Sequence, residues 1–181
     1  QASEAFGAPV SVLINSASSF MADTFGTVTG ESWRFLMDVN AAAPVFLMQA
    51  FGAQNPTPTG GAIVNILDAQ MTSASPDRVS YFCSKFALEG ATRLAAYDFA
   101  TRKIRVNAIA PGIILPSEQT QEEFELRQSQ TPLGQGLGPD DIVEAVRYLV
   151  AAKHVTGHIL AVDAGERLMG YGNAPFAADR G

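Results

Sequence analysis

The stretch at residues 62–102, AIVNILDAQMTSASPDRVSYFCSKFALEGATRLAAYDFATR, changes its hydrophobic period once. Its first six residues form a short apolar run rich in β-branched side chains, which reads as a buried strand. From Ser80 to Arg102 the apolar residues Phe82, Phe86, Leu88, Ala91, Leu94 and Ala95 recur at helical spacing, which reads as a long helix. A polar, Pro-containing turn joins the two. A buried strand delivering the chain into a long helix is half of a parallel-sheet unit.

Working outward, the same alternation continues. Residues 9–15, PVSVLIN, read as a strand, and residues 30–54 as a long helix ended by NPTPTGG. Pro44 predicts a kink or break inside that helix. Residues 104–110, IRVNAIA, form a strand cut off by Pro111 and Gly112. The polar, acidic residues 117–130 are expected to be a short helix or a loop. Residues 139–152 read as a helix, with Pro139 at its start and Asp140 and Asp141 suiting the dipole of its first turn. Residues 158–163 form a last strand, before an irregular Gly- and Pro-containing tail. The chain opens as if already inside a helix. The expected fold is therefore α/β, a doubly wound parallel sheet forming one domain over residues 1–181, with helices on both faces.

Bulk properties narrow the function. The 181 residues are 47% hydrophobic, enough for one real core. A net charge of -6 argues against a nucleic-acid partner, which needs a basic surface. One cysteine excludes an internal disulfide and fits a reducing, cytoplasmic compartment. No apolar run reaches the ~18 residues of a membrane span, and no secretory leader is visible. No metal site is assigned.

In a parallel sheet, ligands sit at the carboxyl ends of the strands. Here those ends run into NSASSF, DAQM, APGIIL and DAGERL. Tyr81 and Lys85 are four apart and share a helix face. A nearby ammonium favours the phenolate and brings a tyrosine toward use as a general acid. Asn40 lies on an apolar helical stripe with Trp33, Leu36, Met37 and Leu47, so its side chain needs a partner. Asp68 follows a buried strand directly, where it serves equally well as a turn or helix cap. Phe20 also reads as an exposed loop aromatic.

The ordered segments VLINSAS, MDVNAAAPVFLMQAF, GAIVNILD, YFCSK, IRVNAIAPG and VTGHILAVDAG resemble the short-chain dehydrogenase/reductase family over nearly the whole chain. The resemblance implies a Rossmann-type fold and a nicotinamide cofactor. It makes Tyr81 the acid, and gives Lys85 the nicotinamide ribose and the depression of the tyrosine pKa. Asn40 would position Lys85 through a water. Asn15, Ser16, Ala17 and Ser18 would border the cofactor on one side, and Pro111, Gly112 and Ile113 on the other.

The family's serine thirteen positions before the tyrosine is replaced by Asp68. With the ASSF run, this resembles the pteridine reductase and dihydromonapterin (dihydrofolate) reductase branch. That likeness implies NADPH, a pterin or folate substrate stacked on Phe20 with Ser18 as a polar contact, and Asp68 working with Tyr81 to deliver protons. An ionised Asp68 would also resist phenolate formation by repulsion. VDAG departs from the family's VDGG at Ala164.

The family's Gly-rich phosphate turn does not occur in this sequence, and roughly three strands are expected to precede Gln1. Three readings stay open: a dihydropterin reductase, a short-chain enzyme acting on another carbonyl or alcohol, and a catalytically incompetent fragment that keeps the fold. Apolar residues on several faces of the two long helices, such as Phe46 and Phe86, predict a homo-oligomer, a dimer or tetramer.

Overall fold

The structure, a computed structural model, describes residues 5, 7–54, 60–116 and 120–169. The opening helical residues, Ser117 and nearly all of the tail fall largely or wholly outside that range. Four strands, β1 (Val12–Asn15), β2 (Gly61–Ile66), β3 (Ile104–Pro111) and β4 (Ile159–Val162), form one sheet in the order β1-β2-β3-β4. All three pairings are parallel, with Asn15 beside Asn65 and Ile109 beside Leu160. β1 begins three residues later than its apolar pattern suggested.

Parallel neighbours need crossovers, and helices supply them. α1 (Gly30–Met37) and α2 (Ala43–Ala53) join β1 to β2, and α3 (Val79–Asp98) joins β2 to β3. α4 (Gln121–Ser129) and α5 (Pro139–Ala151) lie between β3 and β4. Pleat alternation divides the core. Ile63, Ile104 and Val106 pack with Met48, Phe51, Ala96 and Phe99 on one face. Val64 and Ile109 pack with Ala145 and Leu149 on the other. The sheet is thus covered on both sides, as the apolar strands require.

The helix at residues 30–54 does not break at Pro44. A π-helical turn, Asp38–Ala42, links α1 to α2, and Ala43 N–H bonds the Asp38 carbonyl five residues back. Proline has no N–H for the carbonyl of Asn40, and the wider turn absorbs the mismatch while the helix continues. The resulting run Gly30–Ala53 is 24 residues and, by length and composition, apolar enough to cross a membrane. This corrects the expectation that no such run exists. Here it packs on α3 and the sheet, with Leu36, Met48 and Phe51 buried. Phe35, Val45, Leu47 and Phe46, the last at 65% exposure, face outward from the same run, as do Leu94 and Tyr97 of α3.

Candidate active site

The carboxyl ends of the strands bring Asp68, Tyr81 and Lys85 together. Asp68 lies two residues beyond β2 and caps the 3-10 turn Ala69–Ser73, its Oδ1 accepting from Gln70 N–H at 2.7 Å. Its other oxygen, Oδ2, accepts from the Tyr81 hydroxyl at 2.8 Å. Asp68 is thus both the cap that its position suggested and a partner of the tyrosine.

Tyr81 and Lys85, one turn apart near the start of α3, are both buried. Lys85 Nζ donates to the Ile66 carbonyl at 3.0 Å and stands 5.7 Å from the Tyr81 ring centre. Burial lowers the Lys85 ammonium to about 8, an effect partly offset by the charge of Asp68. The tyrosine moves the opposite way from the expected depression. Burial raises its pKa first, then the Asp68 charge and the hydrogen bond to it, with only Arg78 opposing. Tyr81 therefore holds its proton firmly, and the hydroxyl can give it up only to a stronger acceptor.

Asn40 is fully buried on the π-helical turn. Its Nδ2 donates to the Ser19 carbonyl at 2.8 Å and to Ser84 Oγ at 3.0 Å. Its Oδ1 accepts from Ser19 N–H at 2.7 Å and Ser18 Oγ at 3.3 Å. These bonds satisfy the buried amide and fasten the loop after β1 to α3. Ser84, one residue before the lysine, completes the link through its own bond to the Tyr81 carbonyl.

The loop after β1 carries Ser16, Ala17 and Ser18, all exposed. Asn15 turns away from it: its Nδ2 donates to Asn65 Oδ1 at 2.7 Å, and Asn65 Nδ2 continues to Thr92 at 2.9 Å. Asn15 is thus a cross-strand link, with its Oδ1 buried and without a partner. Phe20 projects from the loop at 42% exposure and meets the Tyr81 ring edge-on at 5.0 Å. On the far side of the cleft, Gly112 N–H bonds the Val162 carbonyl at 2.9 Å. A Cβ on Gly112 would lie 2.9 Å from both Asp163 Cα and Glu166 Oε2, so only glycine fits. The Ile113 carbonyl accepts from Gln128 of α4 at 3.0 Å.

Several participants escaped the sequence reading. Asp23 accepts from Ser80 N–H at 3.0 Å through Oδ1 and from the Ser80 hydroxyl through Oδ2. It caps α3 from 57 positions away, because Arg78 at the helix start offers no side-chain cap. That missing local cap was the available signal. Gln70 donates to Glu166 Oε1 at 3.0 Å and accepts from Arg78 Nη1 at 3.3 Å. Glu166 is pushed up chiefly by burial. No local pattern marks these long-range partners.

Known proteins give the chain a family. A family model described as enoyl-(acyl carrier protein) reductase matches residues 1–166. Galactitol 2-dehydrogenase (L-tagatose-forming) of Cereibacter sphaeroides is 36% identical over 167 residues, covering 87% of this chain and 66% of that protein. The NADP complex of FolM alternative dihydrofolate reductase 1 from Brucella canis superposes with a TM-score of 0.83 at 35% identity, over 94% of this chain and 67% of that one. Its Brucella suis counterpart, also with NADP, gives 0.84 at 38% identity, over 88% and 65%. The chain therefore spans about two thirds of the length of these relatives. With a family match across nearly all of its length and a Tyr81–Lys85 helix set at the rim of a parallel sheet, this chain belongs to the short-chain dehydrogenase/reductase family.

Proposed function

We propose that this chain supplies the catalytic groups of an NADPH-dependent reductase acting on a dihydropterin- or dihydrofolate-type substrate. The observation that carries this reading is the hydrogen bond from the Tyr81 hydroxyl to Asp68 Oδ2 at 2.8 Å, at the position where the family usually has serine. The likeness to the two FolM enzymes supports it.

The residues present fit the nicotinamide end of the cofactor. Lys85 has three ammonium hydrogens, and its described hydrogen bond to Ile66 uses one, which leaves donors for a ribose diol. The exposed Ser16, Ala17 and Ser18 would line one side of the bound cofactor and Pro111, Gly112 and Ile113 the other. The phosphate turn is not among the residues of this chain, so the fit concerns that end alone. When bound, NADPH supplies a hydride to the substrate carbon. Tyr81 supplies the proton to the adjacent ring nitrogen, its hydroxyl rotating away from Asp68 Oδ2. Lys85 and Arg78 would then offset the negative charge left on the phenolate until a proton from solvent restores the hydroxyl, which again donates to Asp68 Oδ2. Phe20 offers the flat ring a stacking surface beside Tyr81, and Ser18 a polar contact.

A second reading is reduction or oxidation of a simple carbonyl or alcohol, favoured by the 36% identity to a galactitol dehydrogenase. The test is NADPH oxidation measured with dihydrobiopterin, dihydromonapterin and dihydrofolate against ketoses and diketones. Turnover of the dihydropterins at kcat/KM at least ~10-fold above the carbonyls is expected. Turnover of the carbonyls alone transfers the assignment to the second reading. We also infer a homo-oligomer built on the exposed apolar faces of α2 and α3.

A further inference from the structure

Around Phe20 the cleft carries a cation that the chemistry above uses only as a distant charge. The Arg78 guanidinium lies over the Phe20 ring, its Cζ 4.7 Å from the ring centre, and Phe20 in turn abuts Tyr81. Tyrosine, phenylalanine and guanidinium thus form one continuous row from the proton donor outward.

Two features hold the guanidinium in place. Arg78 Nη1 donates to Gln70 Oε1, and Gln70 is fixed at its other end by Glu166. The face of the Phe20 ring supplies the second contact, a cation–π one. The Asp77 carboxylate is a weak partner, at 4.0 Å from Nε and itself 60% exposed. A guanidinium has five N–H donors in a fixed fork, and the hydrogen bond to Gln70 uses one. The side chain remains 30% exposed. A chain of net charge -6 attracts anions poorly in general. A fixed, half-exposed fork beside the proton donor is therefore a selective feature.

We propose that Arg78, seated on Phe20, is a specificity-determining residue that pairs with a carboxylate carried by the substrate's side chain. This rests on the reading that a flat ring is reduced at Tyr81, and it deepens that reading: a carboxylate-bearing, folate-like substrate is preferred over a neutral pterin. The carboxylate meets the fork in two parallel hydrogen bonds, while the ring stays over Phe20 and Tyr81. The influence of Arg78 on the Tyr81 hydroxyl agrees with its closeness to the reacting centre.

The test is calorimetric binding to the whole chain, with and without NADP, using folic acid, neutral pterin and 4-aminobenzoyl-glutamate, which has the carboxylates without the pterin. Arg78→Gln should weaken folic acid by about 10- to 100-fold and leave pterin within about twofold. Arg78→Lys should recover part of the loss, since it keeps the charge without the fork. Added salt should weaken folic acid and spare pterin. Equal loss of both ligands, or no loss of folic acid, overturns the proposal. Arg78-dependent binding of 4-aminobenzoyl-glutamate without any binding of pterin keeps the subsite and removes the pterin reading. A wild-type chain that binds none of the three overturns the subsite itself.

Discussion

At the scale of single residues, Lys85 is in conflict with the stability of the fold. It is 2% exposed, and burial brings its ammonium down to about 8. Lys85→Met should therefore stabilise the chain by about 1–3 kcal/mol in urea melts at neutral pH, while removing turnover. The linkage has a definite sign. Between about 8 and the ordinary 10.5, the unfolded chain keeps a proton that the folded chain has released. Stability from this group rises with pH across that window. Any activity that needs the ammonium falls across the same window, starting near 8. A pH profile of kcat/KM set beside the melts should show the two moving apart, and the methionine variant should lose the rise in stability. Asp68 is tested by charge. Asp68→Asn keeps one acceptor, which suffices for Gln70 N–H, but removes the anion and turns an amide donor toward the Tyr81 oxygen, whereas Asp68→Ser shortens the reach. Both should cost at least ~10-fold in kcat/KM on dihydropterins. Full activity in both variants would mean that Asp68 is only the cap of its turn.

At the scale of elements, α3 depends on a residue far from it in sequence. Asp23 supplies the acceptors that the start of α3 lacks, and its backbone pairs there too: Asp23 N–H bonds the Asp77 carbonyl, and Val79 N–H bonds the Asp23 carbonyl. Asp23→Ala should cost about 1–2 kcal/mol, read as a lower thermal midpoint, with Asp23→Asn recovering part of it. Beyond β4, Ala164 is held at φ +50°, where the family has glycine. Ala164→Gly should gain about 0.5–1 kcal/mol, because relief of left-handed strain exceeds the added freedom of the unfolded chain. These two positions show what the sequence could express. Strands and helices were legible because apolar periodicity is local, and Ala164 stood out as a departure at a turn. Tyr81 and Lys85 were legible as a pair because four residues make a helical turn, whereas Asp68 was legible from its position only as a cap, and its pairing with Tyr81 came from the family resemblance. The π-helical turn was not legible: Pro44 signals a mismatch, but only packing decides whether a helix breaks or widens. Asp23, Gln70 and Glu166 were not legible either, because their partners are long-range and follow from the fold. The direction of the Tyr81 shift depended on burial, which a spacing argument leaves out.

At the scale of the whole molecule, the sheet is covered on both faces, yet α2 and α3 still present apolar side chains to solvent. Between them runs a groove of about 480 Å³ lined by Val45, Met48, Leu94, Ala95 and Phe99, with Asp98 and Arg102 at its polar end. Phe46, Leu94 and Tyr97 are 65%, 74% and 88% exposed. A helix buries one stripe against its own sheet, and a second apolar stripe has no role in a monomer. A second copy of the chain is the fitting occupant. Each copy offers the same groove and the same ridge, and a two-fold contact pairs them reciprocally. The Asp98–Arg102 ion pair, 2.8 Å and partly exposed, sits at the rim, where polar residues belong in such an interface. Sedimentation at micromolar concentration should show a dimer or a larger assembly. Leu94→Glu combined with Phe46→Glu should shift it to monomer, because two buried carboxylates would meet their symmetry mates without counter-charges. Neither residue touches the Asp68–Tyr81 pair, so binding of a flat ligand should persist in the monomer unless the contact also holds α3 in place. A wild-type chain that sediments as a monomer would leave the stripe without this role.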